Sequence, residues 1–249
     1  MKIAVCLKRV PDTTTKIVVA ADGKSIDETG VKFVMNPYDE YAIEAAIAFK
    51  EKAGAGETTV FSLGGDAAQE TMRTALAMGI DRGVLLKGEG SADGLEVAKA
   101  LAAELKGGGF DLILFGKIAV DDYNHQVGVM VAELLEMPCL SAVSSLTIEA
   151  GAVMAEREVE GGVEVLGCQL PAVITADKGI NTPRLPSLKG IMAAKKKPFE
   201  VKPVALGRGG LTVLGLTLPP ERQAGRIVGE GPDAVAALVQ LLRTEAKVI

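Results

Sequence analysis

The sequence predicts an α/β protein built on a doubly wound, mostly parallel sheet, and three observations carry that prediction. Short apolar runs at Lys2 to Leu7, Thr58 to Leu63, Gly83 to Leu86 and Phe110 to Phe115 are each closed by glycine or charge. A parallel sheet covered on both faces requires such near-continuous apolar strands. Helical stretches at Tyr38 to Lys52, Ala67 to Met78, Gly94 to Lys106 and Gln126 to Glu136 alternate with them, and right-handed crossovers convert that order into a doubly wound sheet. A chain of 249 residues, 48% of them hydrophobic, is long enough to bury a large core.

The elements follow in order. After the first strand, Lys16 to Ala20 and Lys24 to Asp27 flank Ala21-Asp22-Gly23, the pattern of a hairpin on the sheet's rim. Asn36 is placed to cap the first helix, Pro37 suits its first position, and Asp39 and Glu40 sit at the positive end of its dipole. Asp66-Ala-Ala-Gln69 has capping-box spacing before the second helix. Beyond Cys139 the period changes. Cys139 to Ile148, Val153 to Val159 and Val163 to Leu170 read as strands, with Gly161-Gly162 as a hairpin turn, and Pro171 to Ala176 as one further apolar strand. From Lys178 to about Gly210 the chain is rich in Gly, Pro and Lys and is expected to bury little of itself, the habit of segments that wrap a partner. Asp233 to Lys247 closes the chain as an amphipathic helix capped by Asp233.

Composition excludes several functions. The 27 Lys plus Arg against 32 Asp plus Glu give a net charge of −5, which offers no general attraction to nucleic acid. Cys6, Cys139 and Cys168 form no CxxC pair and are expected buried and reduced. With His125 the one histidine, no His-rich metal centre can form, so no metal site is expected. The first residues lack the apolar region of a targeting segment, and no run approaches the roughly 18 residues that cross a bilayer. A cytoplasmic protein without membrane insertion is expected.

In an open parallel sheet, ligands bind beyond the carboxyl ends of the strands. The richest polar loop there is Gly116-Lys117 through Asp121-Asp122-Tyr123-Asn124-His125-Gln126 to Gly128, and it opens a helix whose free amides form an anion seat. An ordinary strand-to-helix turn remains the alternative. No GxGxxG and no GxxxxGK[ST] is present. Ser62-Leu-Gly-Gly-Asp66 reads as a capping turn, Asp121-Asp122 as hydrogen-bond acceptors, and His125 as loop polarity or a phosphate contact. No catalytic residue is identified. Between Arg184 and Lys202 the bases Arg184, Lys189, Lys195, Lys196, Lys197 and Lys202 face only Glu200, just after apolar Leu185, Leu188, Ile191 and Met192. That is either a solvated face or a docking anchor with electrostatic steering.

The residues resemble the beta (small) subunit of electron-transfer flavoproteins. The likeness lies in Lys8-Arg9-Val10, Gly30 to Glu40, Gln69 to Gly83, Gly116-Lys117 through Asp121-Asp122, Glu156 to Gly162, Leu170-Pro171-Ala172 and Asn181 to Lys197. It runs in order along nearly the whole chain. The resemblance implies a Rossmann-like fold of the adenine-nucleotide-binding type over residues 1–178, with residues 179–249 as a recognition loop and an arm that packs on an alpha subunit. It implies a heterodimer in which FAD is held mainly by alpha, carrying electrons from acyl-CoA and related dehydrogenases of fatty acid oxidation to a quinone reductase, without bond-making catalysis. It also implies a structural AMP at Cys6, Asn36, Pro37, Tyr38, Asp39, Leu63, Ala119, Val120, Asp121, Asp122, Tyr123, Asn124, His125, Gln126, Val127, Gly128, Val129 and Met130. Docking falls to Arg184, Leu185, Leu188, Ile191, Met192, Lys195, Lys196 and Lys197, with Leu188 at the apolar anchor.

The chain departs from the family pattern at three points. Thr13 stands where some members place a tyrosine near the flavin, and the nucleotide loop reads Asp121-Asp-Tyr-Asn-His-Gln126 where Asp-Asp-Asp-x-x-Gln is commoner. Asp122 and Tyr123 replace the Gly-Asp of electron-bifurcating relatives, which bind a second FAD in place of AMP, and a bulky side chain there opposes close backbone approach to a pyrophosphate. The rival readings are a bifurcating subunit with its own FAD and NADH oxidation, and a stand-alone ATP-binding sensor of universal-stress type.

Overall fold

A computed structural model describes residues 1–88, 92–207, 209–221 and 224–249. Its centre is an all-parallel sheet of seven strands, β1 (Lys2–Cys6), β4 (Glu57–Gly64), β5 (Arg82–Lys87), β6 (Leu112–Gly116), β7 (Cys139–Val143), β11 (Ala172–Ala176) and β12 (Phe199–Pro203). Across the sheet they stand in the order β12-β5-β4-β1-β6-β11-β7. Helices α1 (Pro37–Ala53) and α2 (Ala68–Met78) cover one face, and α3 (Gly94–Leu105) and α4 (Val127–Leu135) the other. Alternation along β1 divides the core, since Ile3, Val5 and Leu7 join the α1–α2 side and Ala4 and Cys6 the α3–α4 side. The doubly wound class expected from the apolar runs is therefore observed.

The chain winds outward from β1 to β4 and β5, then returns to place β6 on the other flank of β1. The strand order thus reverses between β1 and β6, where Rossmann-like sheets open a crevice at the carboxyl ends.

Several local expectations need correction. The rim hairpin is reduced to one bridge, Val19 with Ile26, while the regular pair on the rim is β2 (Arg9–Pro11) with β3 (Phe33–Met35). The Cys139 to Ile148 run breaks at Ser144 into β7 and β8 (Ser145–Glu149), and beyond that residue the chain leaves the main sheet for a three-stranded antiparallel one with β9 (Ala152–Val159) and β10 (Gly162–Gln169). In the β9–β10 hairpin Val159 pairs Gly162, so the turn residues are Glu160 and Gly161, one position earlier than expected. Asp66 does not close a capping box; its carboxylate takes the Gln69 side-chain amide and pairs with Lys87 at 2.7 Å. Of the three cysteines only Cys6 is buried, since β7 is an edge strand of its sheet and β10 of the smaller one.

The Gly-, Pro- and Lys-rich segment is more ordered than its composition implies. It contains α5 (Leu188–Ala194) and β12, which pairs in parallel with β5 and completes the central sheet. The expected closing helix is present over almost its whole span, though not as one regular α-helix: a 3-10 turn at Pro232–Ala234 leads into α6 (Val235–Leu241) and then a π-helical turn at Leu242–Ala246, and Asp233 makes no side-chain cap. Leu211, Leu214, Leu218, Ile227 and Val248 are exposed along this last stretch, an apolar surface that this chain by itself does not cover.

Candidate functional site: the crevice at the strand-order reversal

A cavity of about 180 Å³ opens where the strand order reverses. Cys6, Leu63, Phe115 and Thr175 floor it from β1, β4, β6 and β11, and Val97 and Leu101 wall it from α3. Its rim carries Lys8, Lys117, Asp122, Asn124, His125 and Gln126. An apolar floor under a polar rim suits a ring buried beneath a charged group.

Two helices aim their amino ends at this space. Helix α3 is closed by its own Asp93, whose carboxylate accepts from the Leu95 and Glu96 amides. Helix α4 has no side-chain cap, so the amides of its first turn, Val127 to Val129, point out at its positive end. Gly128 lets α4 press against the sheet, because a Cβ there would stand 2.8 Å from Thr175 Cγ2 and 3.1 Å from the Phe115 ring.

Asp39 is the hub of the crevice. It is buried in the first turn of α1, where Oδ2 accepts from the Lys8 amide at 2.7 Å. Oδ1 accepts from Asn36 Nδ2 at 2.9 Å and from the Gly116 amide at 3.1 Å. One carboxylate thereby joins the ends of β1 and β6 to the start of α1. Burial pushes it up to about 7, against the pull of those hydrogen bonds. Burial, followed by the charge of Asp39, also raises the Cys6 thiol, so Cys6 is an inert floor residue. Asn36 does not cap α1 as expected. Its amide bonds Asp39, donates to the Ile118 carbonyl at 2.7 Å and accepts from the Val120 amide at 3.2 Å, fixing the polar loop on α1.

The rim cations are paired within the chain. Lys8 Nζ lies 2.7 Å from Asp121 and 2.9 Å from Asp122, and Lys117 Nζ lies 2.7 Å from Asp177. Burial opposes the charge on Lys8, but the two aspartates outweigh it and raise its pKa. The Asp121-Asp122 acceptors are therefore largely occupied by Lys8 and, for Asp122, by the Asn124 amide at 3.1 Å.

Of the residues singled out from the sequence, Cys6, Asp39, Leu63, Ala119, Asp122, Asn124, His125, Gln126, Val127 and Gly128 line the cavity. Asn36, Val120 and Asp121 stand behind it as the bonds above describe. Pro37 begins α1, Tyr38 lies under the Lys117 ammonium at 5.3 Å, Tyr123 and Val129 face outward, and Met130 packs into the α3–α4 core. Of the other lining residues, Lys117 belongs to the polar loop singled out above and Lys8 follows the first apolar run; Ala92, Gly94, Val97, Leu101, Phe115 and Thr175 were not picked out, and they come from the start and body of α3, from β6 and from β11. Among the described residues, no cluster of His, Cys, Asp and Glu could hold a metal ion, and no helix is long and apolar enough to cross a membrane.

A second surface lies on α5. Gly190 packs against the Ala77 carbonyl at the end of α2, Ala194 is buried, and Arg73 reaches the Ala194 carbonyl at 2.6 Å. Leu185, Leu188, Ile191 and Met192 face outward, with Leu188 79% exposed. Three of the bases grouped with them are paired within the chain, Lys202 through Glu104 at 2.6 Å. Arg184 forks onto Glu44 and Glu51 of α1 at 2.7 to 2.9 Å, hydrogen bonds that raise its pKa. Lys197 Nζ caps α2 through the Leu76 and Ile80 carbonyls at 2.8 and 2.6 Å. Lys195 and Lys196 remain exposed beside the apolar face.

Comparison with known proteins supplies the family. The electron transfer flavoprotein domain model matches residues 24–206. The electron transfer flavoprotein subunit beta of Bacillus subtilis (strain 168) is 43% identical over 260 residues, covering 100% of both chains. The protein of that name from Syntrophomonas wolfei subsp. wolfei is 41% identical over 249 residues, covering 100% of this chain and 98% of its own. The one from Homo sapiens is 42% identical over 251 residues, covering 98% of each. A family model matching most of the chain, and relatives aligned end to end, agree with the resemblance read from Lys8-Arg9-Val10 through Lys197: the chain belongs to the electron transfer flavoprotein family, as a beta subunit.

Proposed function

We propose that the chain is the nucleotide-holding, partner-docking half of a cytoplasmic heterodimeric electron carrier. AMP occupies the crevice, FAD is held mainly by the alpha subunit, and acyl-CoA-type dehydrogenases dock on α5 so that electrons pass on to a quinone reductase. The observation that carries the nucleotide reading is the uncapped amino end of α4 above an apolar floor, beside an α3 that caps itself. Phosphate suits the first-turn amides of α4, and the adenine ring suits the floor of Cys6, Leu63 and Phe115. One phosphate fits better than several, because Lys8 and Lys117 already have carboxylate partners and leave no free cation among those two for a longer anion. Bound FAD supplies the redox chemistry. The residues of this chain position, dock and exclude water.

Release of nucleotides from the purified, denatured complex tests this reading. AMP and FAD in equal amounts, with a second polypeptide, are expected. Two FAD without AMP would establish the bifurcating subunit, and ATP with neither flavin nor partner the stand-alone sensor.

The docking reading rests on an exposed apolar patch held rigidly at both ends, by Arg184 on α1 and by Lys197 on α2. An exposed apolar patch already held in one geometry loses little freedom when a partner covers it, which favours its use as a docking anchor. Leu188→Ala is expected to slow reduction of the complex by its dehydrogenase about tenfold or more, corresponding to roughly 1.4 kcal/mol or above, with AMP and FAD content unchanged. Stopped-flow reduction checks it, and transfer at the wild-type rate would remove α5 as the docking element.

A further inference from the structure

Asp93 has two jobs at once. One oxygen, Oδ1, accepts from the Leu95 and Glu96 amides at 3.1 and 3.0 Å and caps α3. The other, Oδ2, accepts from the Gly210 and Leu211 amides of the C-terminal arm at 2.7 and 3.2 Å. The residues on either side of it, Ala92 and Gly94, line the cavity. A Cβ on Gly94 would stand 3.1 Å from Gln126 Oε1, so this corner of α3 also touches the start of α4.

The arm crosses α3 at close range. A Cβ at Gly209 would stand 2.8 Å from Asp93 Oδ2, and one at Gly207 would collide with the Glu96 carboxylate, so glycine is what lets the backbone come within reach of the aspartate. Beyond the crossing, the Leu216 amide donates to the Gly23 carbonyl at 2.7 Å, which pins the arm to the rim turn. Hydrogen bonding, led by the Glu96 amide and including those of Gly210 and Leu211, holds the Asp93 carboxyl below the usual carboxylate range.

We infer that Asp93 is a positioning residue that ties the C-terminal arm to the rim of the nucleotide cavity, so that filling the cavity and seating the arm favour each other. The tether rests on the geometry above, and the coupling rests on the reading that the cavity holds AMP. The physical link is short. A nucleotide held against Ala92 and Gly94 fixes the segment that carries Asp93, and a fixed Asp93 presents its second oxygen to the arm. By reciprocity an arm held in place, as when its apolar face is covered, slows nucleotide loss.

Substitution separates the two jobs. Asparagine and serine cap helices about as well as aspartate. In Asp93→Asn, however, an NH₂ donor faces the Gly210 and Leu211 donors, and in Asp93→Ser no second oxygen remains. In the purified complex, both variants are expected to raise hydrogen exchange at residues 210–216 at least tenfold while the Leu95 and Glu96 amides keep their protection. They are also expected to speed AMP release about fivefold, read as nucleotide retained after timed gel filtration. Unchanged exchange in the arm would overturn the tether. A freed arm with unchanged AMP release would overturn the coupling. Wild-type complex that carries no AMP would overturn the cavity reading, and the coupling with it, while the exchange result would still decide the tether.

Discussion

Gly116→Ala is expected to destabilise the protein by about 3 kcal/mol and to empty the crevice, the upper end of what overpacking costs. Gly116 ends β6 against the first turn of α1, where a methyl group would collide with the Asp39 carboxylate and lie 2.7 Å from the Tyr38 backbone. Neither obstacle can yield cheaply. The Asp39 carboxylate is held by three donors, and Tyr38 belongs to a helix whose next turns are buried. Moving α1 aside would also break the Gly116 amide's bond to Asp39 and the Asn36 bonds that seat the polar loop. The measurement is a urea midpoint for the purified complex together with its AMP content. A variant with both unchanged would show that the three-way junction is not what shapes the crevice.

Asp39→Asn is expected to change the pH dependence of stability. Burial raises Asp39 from 3.8 to about 7 in the folded protein, so between those values the folded state holds a proton that the unfolded chain has lost. Its contribution is fully present below about 4 and fades as pH rises through about 7. At roughly 1.36 kcal/mol per unit the whole change is on the order of 4 kcal/mol. Asparagine does not titrate, and its NH₂ leaves the Lys8 amide without an acceptor, a loss of about 1 to 3 kcal/mol. The variant is therefore weakest relative to wild type near pH 4.5 and closes the gap by pH 7.5. Urea midpoints at pH 4.5, 6.0 and 7.5 check this, and a gap that widens with pH would reverse the assigned sign.

Much of the crevice was legible in the linear chain. Apolar runs closed by glycine or charge located β1, β4, β5 and β6, and in a parallel sheet the loops beyond them must meet at one edge. Lys8, Asp39 and the loop from Gly116 to Gly128 meet there. Asn36 shows the limit of such reading. Asn-Pro before a helix is a good cap signal, but here the amide finds three partners on Asp39, Ile118 and Val120, and those tertiary bonds replace the local one. Arg184 and Lys197 teach the same lesson in the arm. A run of bases reads as a free positive face until Glu44, Glu51 and two helix-end carbonyls are found beneath it.

The parallel α/β class, the strands on either side of the strand-order reversal and the loops that approach it were all readable in the linear chain, because they depend on residues close together, where apolar period, glycine and proline act directly. The family was readable too, from segments spread in order along nearly the whole chain. Tertiary structure alone decided which charges are spent internally, that Phe199–Pro203 completes the sheet, and that Asp93 joins the arm to the crevice. Those outcomes depend on which partner a group or strand meets across 60 to 117 residues of chain, and no local pattern encodes that meeting.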